Sequence, residues 1–270
     1  MQCDSVKKFK RLIWGYYAKH GRDLPWRKTR NPYRILVSEI MLQQTQVSRV
    51  LEKYPLFIKR FPTVQSLARG RLREIMRAWQ GLGYNRRALL LKRLAEKVVS
   101  QHKGKIPRIR EILKRLPGVG DTTSGAICAF AFNEPEAFIE TNIRSVFIHR
   151  FFQGKRNIHD NHLVPYIEET IDKENPREWY YALMDYGVYL KNTVPNPGRK
   201  STHYKKQSPF KGSNRQIRGM IIKALVERKR LTGPGLNRLI GCDAKRLKAA
   251  IEALRTEGLI SKRGNYIQFC

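Results

Sequence analysis

Two short stretches of this 270-residue chain carry residues that could do chemistry. Residues 31–47 read Asn-Pro-Tyr-Arg-Ile-Leu-Val-Ser-Glu-Ile-Met-Leu-Gln-Gln-Thr-Gln-Val, which puts one carboxylate, Glu39, in a helix-like run of mostly apolar and amide residues. Residues 116–126 read Leu-Pro-Gly-Val-Gly-Asp-Thr-Thr-Ser-Gly-Ala, a glycine hairpin between two helices. Backbone amides at such a turn, next to a helix N-terminus, hold a phosphate. A sheltered acid and a phosphate clamp in one basic chain point to chemistry on a base drawn out of DNA. The plainer reading of Glu39 is a surface glutamate.

The charge balance agrees with that direction. Lys plus Arg number 54 against 22 Asp plus Glu, a formal net charge of +32. Such an excess opposes compaction and suits a polyanionic partner. It is spread along the chain: residues 198–270 alone hold 18 Lys/Arg against 4 Asp/Glu, +14. A solubilising surface, an RNA or an anionic membrane would satisfy the charge equally well. Hydrophobic residues at 41% and aromatics at 10% argue against disorder. The length allows two domains with real cores. No apolar stretch has signal-peptide form or reaches the roughly 18 residues of a membrane span. Cys3, Cys128, Cys242 and Cys270 are scattered and form neither a metal-type cluster nor a disulfide pattern. A soluble, intracellular protein with no metal is expected.

The elements that must position these residues are mainly helical. Val6 to Ala18 alternates basic and apolar residues at helical spacing, Pro32 suits a first helical position, and the run from there to Val50 is apolar on a broad face. Val64 to Trp79 reads as short helices, and Tyr84 to Val99 as a leucine-rich one. A helix ends near Leu116, and Asp121 or Thr122 can cap the next. Further helices are expected over 142–152, 162–173 and 177–191, with no strand pattern before residue 200. Residues 192–213 hold three prolines, two glycines and five Lys/Arg, a basic linker between a domain over 1–191 and one over 214–270. The last segment reads as helices at 215–230, 234–240 and 244–257, the third capped by Asp243, then two short strands joined at Arg263-Gly264-Asn265. That is the outline of a winged helix, with Lys245, Arg246 and Lys248 on a candidate recognition helix and Arg263 on the wing. A winged helix used only for protein contacts has the same outline.

Six blocks fall in a familiar order: Leu24-Pro25-Trp26-Arg27, Ser38-Glu39 to Gln46, Arg60-Phe61-Pro62-Thr63-Val64, Trp79-Gln80-Gly81-Leu82-Gly83-Tyr84, Leu116 to Gly120, and Met184-Asp185-Tyr186-Gly187. Over about residues 10–190 the chain resembles the endonuclease III-like helix-hairpin-helix DNA glycosylases, most nearly the MutY-type A/G-mismatch adenine glycosylases. The resemblance implies a mainly α fold of two helical subdomains, here followed by the winged-helix-like domain.

It also implies site roles. Glu39 matches the general acid that protonates the departing purine, a task that needs a raised pKa; its neighbours Ile40, Met41 and Leu42 suit that. The second carboxylate, an aspartate in the family, matches Glu140, which either serves in its place or is only a capping or salt-bridged residue. Thr122 stands where bifunctional members carry a Schiff-base lysine, so a monofunctional enzyme using water is implied; that Thr122 simply starts a helix is the plainer reading, compatible with the first. Gln43 and Gln44 fall in the block that meets the flipped base, and Gln44 and Tyr84 match residues pushed into the duplex. Tyr84 as ordinary core is the alternative. Leu116, Gly118, Val119 and Gly120 form the phosphate-binding hairpin, whose nearby carbonyls are a candidate seat for a monovalent cation.

Two departures carry weight. Lys191 stands in the place of the first of four iron–sulfur cysteines, and 190–215 contains no cysteine, so no cluster is expected. The C-terminal segment is too short for the domain that reads the opposite base in MutY proteins. The expected activity is hydrolytic excision of a mispaired or damaged base, adenine in a mismatch first, by a monomer acting on duplex DNA in the cytoplasm. Uracil, mismatched thymine, hypoxanthine or an alkylated purine are alternative targets, and a non-catalytic DNA-binding protein on the same scaffold is a third reading.

Overall fold

The computed structural model describes residues 3–270. Its helices run in order α1 (Cys3–His20), α2 (Pro32–Leu42), α3 (Val47–Arg60), α4 (Val64–Arg69), α5 (Leu72–Ala78), α6 (Arg86–Gln101) and α7 (Arg110–Lys114). They continue with α8 (Asp121–Phe132), α9 (Thr141–Phe151), α10 (Val164–Thr170), α11 (Pro176–Thr193), α12 (Asn214–Arg228), α13 (Gly233–Ile240) and α14 (Ala244–Thr256). Three short strands, β1 (Arg230–Thr232), β2 (Ile260–Arg263) and β3 (Tyr266–Phe269), all lie after residue 229. No helix among the described residues is long and apolar enough to cross a membrane.

The chain forms two compact units. One gathers the residues up to Leu36, Pro107–Arg115 and Val119–Lys206. Its core is aromatic: Phe9 of α1 meets Phe147 of α9 edge-on at 5.5 Å and Trp179 of α11 at 6.0 Å, and all three rings are fully buried. Pro197 and Gly198, in a 3-10 turn after α11, are buried in this unit, and Ser201 beyond them bridges to Ile158.

The other unit gathers Val37–Ile106, Leu116–Gly118 and Gln207–Cys270. Within it α12, β1, α13, α14, β2 and β3 have winged-helix topology, with an antiparallel sheet in the order β1-β3-β2. Strand β1 was not anticipated, because Arg-Leu-Thr is too short to show a period of two. Buried Ile221, Leu225, Leu236, Leu254, Leu259 and Ile267 make its core. The last-turn carbonyls of α12 accept from α5: Arg73 Nη2 donates to Val226 at 2.5 Å and Glu227 at 3.1 Å, and Arg77 to Val226 at 3.3 Å. Cationic donors suit a helix C-terminus, where unpaired carbonyls gather.

Two local expectations fail for physical reasons. The apolar run from Pro32 to Val50 is not one helix; it breaks between Leu42 and Val47, where Gln44 adopts a left-handed φ of 53°. Helix α8 is not capped by the side chain of Asp121 or Thr122; Gly120 is its cap residue, and Asp121 is already helical. Asp121 instead pairs with Arg110 at 3.0 Å and Lys114 at 3.4 Å.

Candidate active site

Glu39 is half-buried on α2, between fully enclosed Ser38 and Ile40. The helix stops one turn later, at half-buried Gln43 and exposed Gln44. A second loop of the same unit, Trp79 to Tyr84, ends in half-buried Tyr84 at a φ of 45°. Left-handed backbone costs a non-glycine residue about 1–3 kcal/mol and persists where surroundings enforce it. Here one side chain enforces both. Arg87, near the start of α6 and 9% exposed, donates through Nη1 to the carbonyls of Ile40 (2.8 Å), Met41 (2.9 Å) and Gln43. Its Nη2 donates to Thr45 Oγ1 at 2.8 Å and to the carbonyls of Gly83 (3.2 Å) and Leu82 (3.3 Å). The guanidinium also faces the rings of Trp79 and Tyr84, each 5.5 Å from its centre. Burial lowers its pKa to about 10, which leaves it charged at neutral pH. Arg87 thus ties the end of the Glu39 helix, the Gln44 turn and the Tyr84 loop together.

The hairpin has the geometry its glycines imply. Gly118 has a φ of 80°, and a Cβ there would lie 3.1 Å from the Cβ of Leu90, so both backbone and space favour glycine. The side chains of Leu116 and Val119 are buried and anchor the loop; Gly118 and Gly120 are exposed, with Gly120 opening α8. Any phosphate contact by Leu116 or Val119 is therefore a backbone contact. Exposed Thr122 donates its hydroxyl to Ile139 O at 3.0 Å.

Glu140, in the first unit, is the N-cap of α9. Its Oε1 accepts from the amides of Asn142 (2.7 Å) and Ile143 (2.8 Å), and its Oε2 from Asn142 Nδ2 (3.1 Å) and the Thr141 hydroxyl (3.2 Å). It is a capping residue whose four donors fill the roughly four acceptor sites of its carboxylate and hold its negative charge at the start of α9. The start of α9 is pressed onto α11 at Gly187, where a Cβ would lie 2.6 Å from Asn142 O. Two residues back on α11, buried Asp185 accepts from Arg27 at 2.7 and 2.8 Å and from Arg22 Nε at 2.6 Å and N at 2.9 Å. Burial pushes the Asp185 carboxyl up, but these two arginines outweigh it and hold it below the usual range. One turn past Gly187, half-buried Lys191 donates to Asn142 Oδ1 at 2.8 Å, and burial lowers its pKa. Leu24 to Arg27 and Met184 to Gly187 therefore act together to seat the helix that begins beside Glu140.

On the winged helix Lys245, Lys248 and Arg263 are exposed. Arg246 is engaged within the chain, donating to Gly212 O at 2.5 Å and Asn214 Oδ1 at 3.3 Å. Sequence reasoning missed Arg87, Asn142 and the contacts of Lys191. Arg87 left a signal: positions 87, 91, 94 and 98 form one buried stripe of α6, and the first of them is an arginine. No group of three or more His, Cys, Asp or Glu among the described residues could hold a metal ion.

A glycine hairpin opening a helix, a half-buried glutamate beside a strained turn, and a carboxylate at a helix start define the class. The chain belongs to the HhH-GPD superfamily of base excision DNA repair proteins, whose profile matches residues 37–173. It is 35% identical to the adenine DNA glycosylase of Rattus norvegicus, over 72% of this chain and 39% of that protein. To the adenine DNA glycosylase of Mycobacterium tuberculosis it is 31% identical over 93% of this chain and 89% of that one. The chain thus spans well under two thirds of the rat protein and most of the mycobacterial one. Among solved structures, a thermostable thymine-DNA glycosylase superposes with a TM-score of 0.65 at 28% identity, covering 73% of this chain and 91% of that chain.

Proposed function

We propose that this protein is a monofunctional DNA glycosylase that flips out and hydrolytically removes a mispaired base, adenine first. The observation that carries the proposal is the Arg87 assembly, which braces two left-handed residues, Gln44 and Tyr84, next to the helix of a half-buried acid. An amide and an aromatic presented in this way suit replacement of the pairing and stacking that a flipped base leaves behind. In the proposed reaction Glu39 gives its proton to the purine as the bond between its nitrogen and sugar C1′ breaks. Glu140 stabilises the oxocarbenium-like sugar. Water then bonds to C1′ and loses a proton, leaving an abasic site in an intact strand. Thr122 has no amine with which to attack the sugar.

The partner in this reading is duplex DNA bearing a mismatch or lesion, bound by a monomer in the cytoplasm, with no role for a membrane. The amides of Gly118, Val119 and Gly120 hold a backbone phosphate, with a monovalent cation at neighbouring carbonyls. Lys245, Lys248 and Arg263 of the winged helix add phosphate contacts. This reading includes no iron–sulfur cluster; it is supported by Lys191, which stands where the resemblance puts the first cluster cysteine and here is hydrogen-bonded to Asn142. Mismatched thymine is the second reading, supported by the likeness to the thymine-DNA glycosylase structure. The test is a panel of duplexes, each with one mismatch or lesion, with products run with and without alkali. Alkali-dependent breaks at adenine mismatches support the proposal. Breaks without alkali, or no excision from any duplex, refute it.

A further inference from the structure

The winged-helix end of the chain reaches the tyrosine assigned to probing the duplex. The Tyr84 hydroxyl accepts from Arg215 Nη1 at 2.8 Å and from Gln207 Nε2 at 2.9 Å. The Arg215 guanidinium also lies 5.7 Å from the Tyr84 ring centre. Its other nitrogen is fixed by Ser208, donating to the carbonyl at 2.6 Å and to the hydroxyl at 3.4 Å. Arg215 sits in the first turn of α12, whose start is capped by Ser213 and whose far end is held by Arg73 and Arg77. Tyr84 is therefore gripped twice. Arg87 holds the loop behind it, and the C-terminal segment holds its hydroxyl. Without the second grip it would be a half-exposed ring on a glycine-flanked loop.

We propose that Arg215, helped by Gln207, is a positioning residue for Tyr84, so that the winged helix is part of the base-probing apparatus and not only a phosphate anchor. This rests on the reading of Tyr84 as a duplex probe. A charge-assisted hydrogen bond to a phenol fixes both ring direction and depth. Its loss should therefore reduce discrimination more than overall binding.

The test is a double-mutant cycle on the full chain with Arg215→Met and Tyr84→Phe, reading affinity for a mismatched and for a matched duplex together with KM and kcat. Each single variant is expected to lose about tenfold in the preference for the mismatched duplex, the scale of one charged hydrogen bond. The loss falls mainly on KM, the double variant is no worse than either single one, and Arg215→Lys recovers part of the preference. Additive losses, or a silent Tyr84→Phe, overturn the proposal. So does an equal loss on both duplexes with a shallower salt dependence, which would make Arg215 an ordinary phosphate contact. If the wild-type protein prefers the mismatched duplex but excises nothing, and the variants lose that preference non-additively, the catalytic reading fails and this one stands.

Discussion

Arg87→Met removes the guanidinium that braces the candidate site while keeping most of the aliphatic stem. Three of its short bonds run to Ile40 O (2.8 Å), Met41 O (2.9 Å) and Thr45 Oγ1 (2.8 Å). At about 1.5–3 kcal/mol for each hydrogen bond to a charged group, they favour the folded state by about 4–9 kcal/mol before costs. Against this stands the burial that lowers the arginine's pKa to about 10, a penalty of about 3 kcal/mol at about 1.4 kcal/mol per pH unit. The difference, about 3 kcal/mol within a factor of two, is the destabilisation expected in urea unfolding at an unchanged denaturant slope. Activity should fall further than stability explains. Single-turnover excision at a temperature where both proteins are folded is expected to drop about 100-fold, because an ångström of misplacement has that effect. Arg87→Lys keeps the charge but cannot serve acceptors on both loops, and should resemble Arg87→Met. A variant within about 0.5 kcal/mol of wild type that still excises at the wild-type rate would refute the reasoning.

Glu140→Gln is expected to abolish excision while α9 still forms, and Glu140→Asp to retain or improve it; equal rates in Glu140→Gln and wild type would remove the second carboxylate from the mechanism. Asp185 has a lowered pKa in the folded state, so its stabilisation is present above the ordinary aspartate pKa of about 4 and is lost as pH falls through the folded value. Asp185→Asn should cost about 3–5 kcal/mol at neutral pH, by breaking a buried pair, and should flatten the acid limb of the stability profile. An unchanged limb in urea unfolding between pH 3 and pH 7 would contradict this. Replacing Lys245, Lys248 and Arg263 by alanine should lower the slope of log affinity against log salt by about 0.9 per lost phosphate contact. Unchanged affinity and slope would place those residues away from DNA.

Most helices and the hairpin were legible because their signals are local: apolar stripes at helical spacing, a proline at a helix start, glycines where a turn demands them. The winged helix was legible for the same reason, apart from β1, whose pairing with β3 is a long-range event. What sequence could not show were the contacts between segments far apart in the chain. The apolar run to Val50 carries no breaker, and it is Arg87, more than forty residues on, that takes the carbonyls of Ile40 and Met41 and shares that of Gln43. The failure of local reasoning falls at the candidate site, where local preference yields to a strained arrangement held from outside. Glu140 was visible as a residue, but its four donors, and the Lys191 to Asn142 bond behind them, needed the fold.

The central claim is that Glu39 supplies the proton on which base departure depends. Single-turnover excision of adenine from a mismatched duplex by Glu39→Gln, measured beside equilibrium binding of the same duplex, tests it most directly. The expected result is loss of excision with binding close to wild type, since a neutral isostere removes the proton and little else. Excision by Glu39→Gln at or near the wild-type rate would contradict the account.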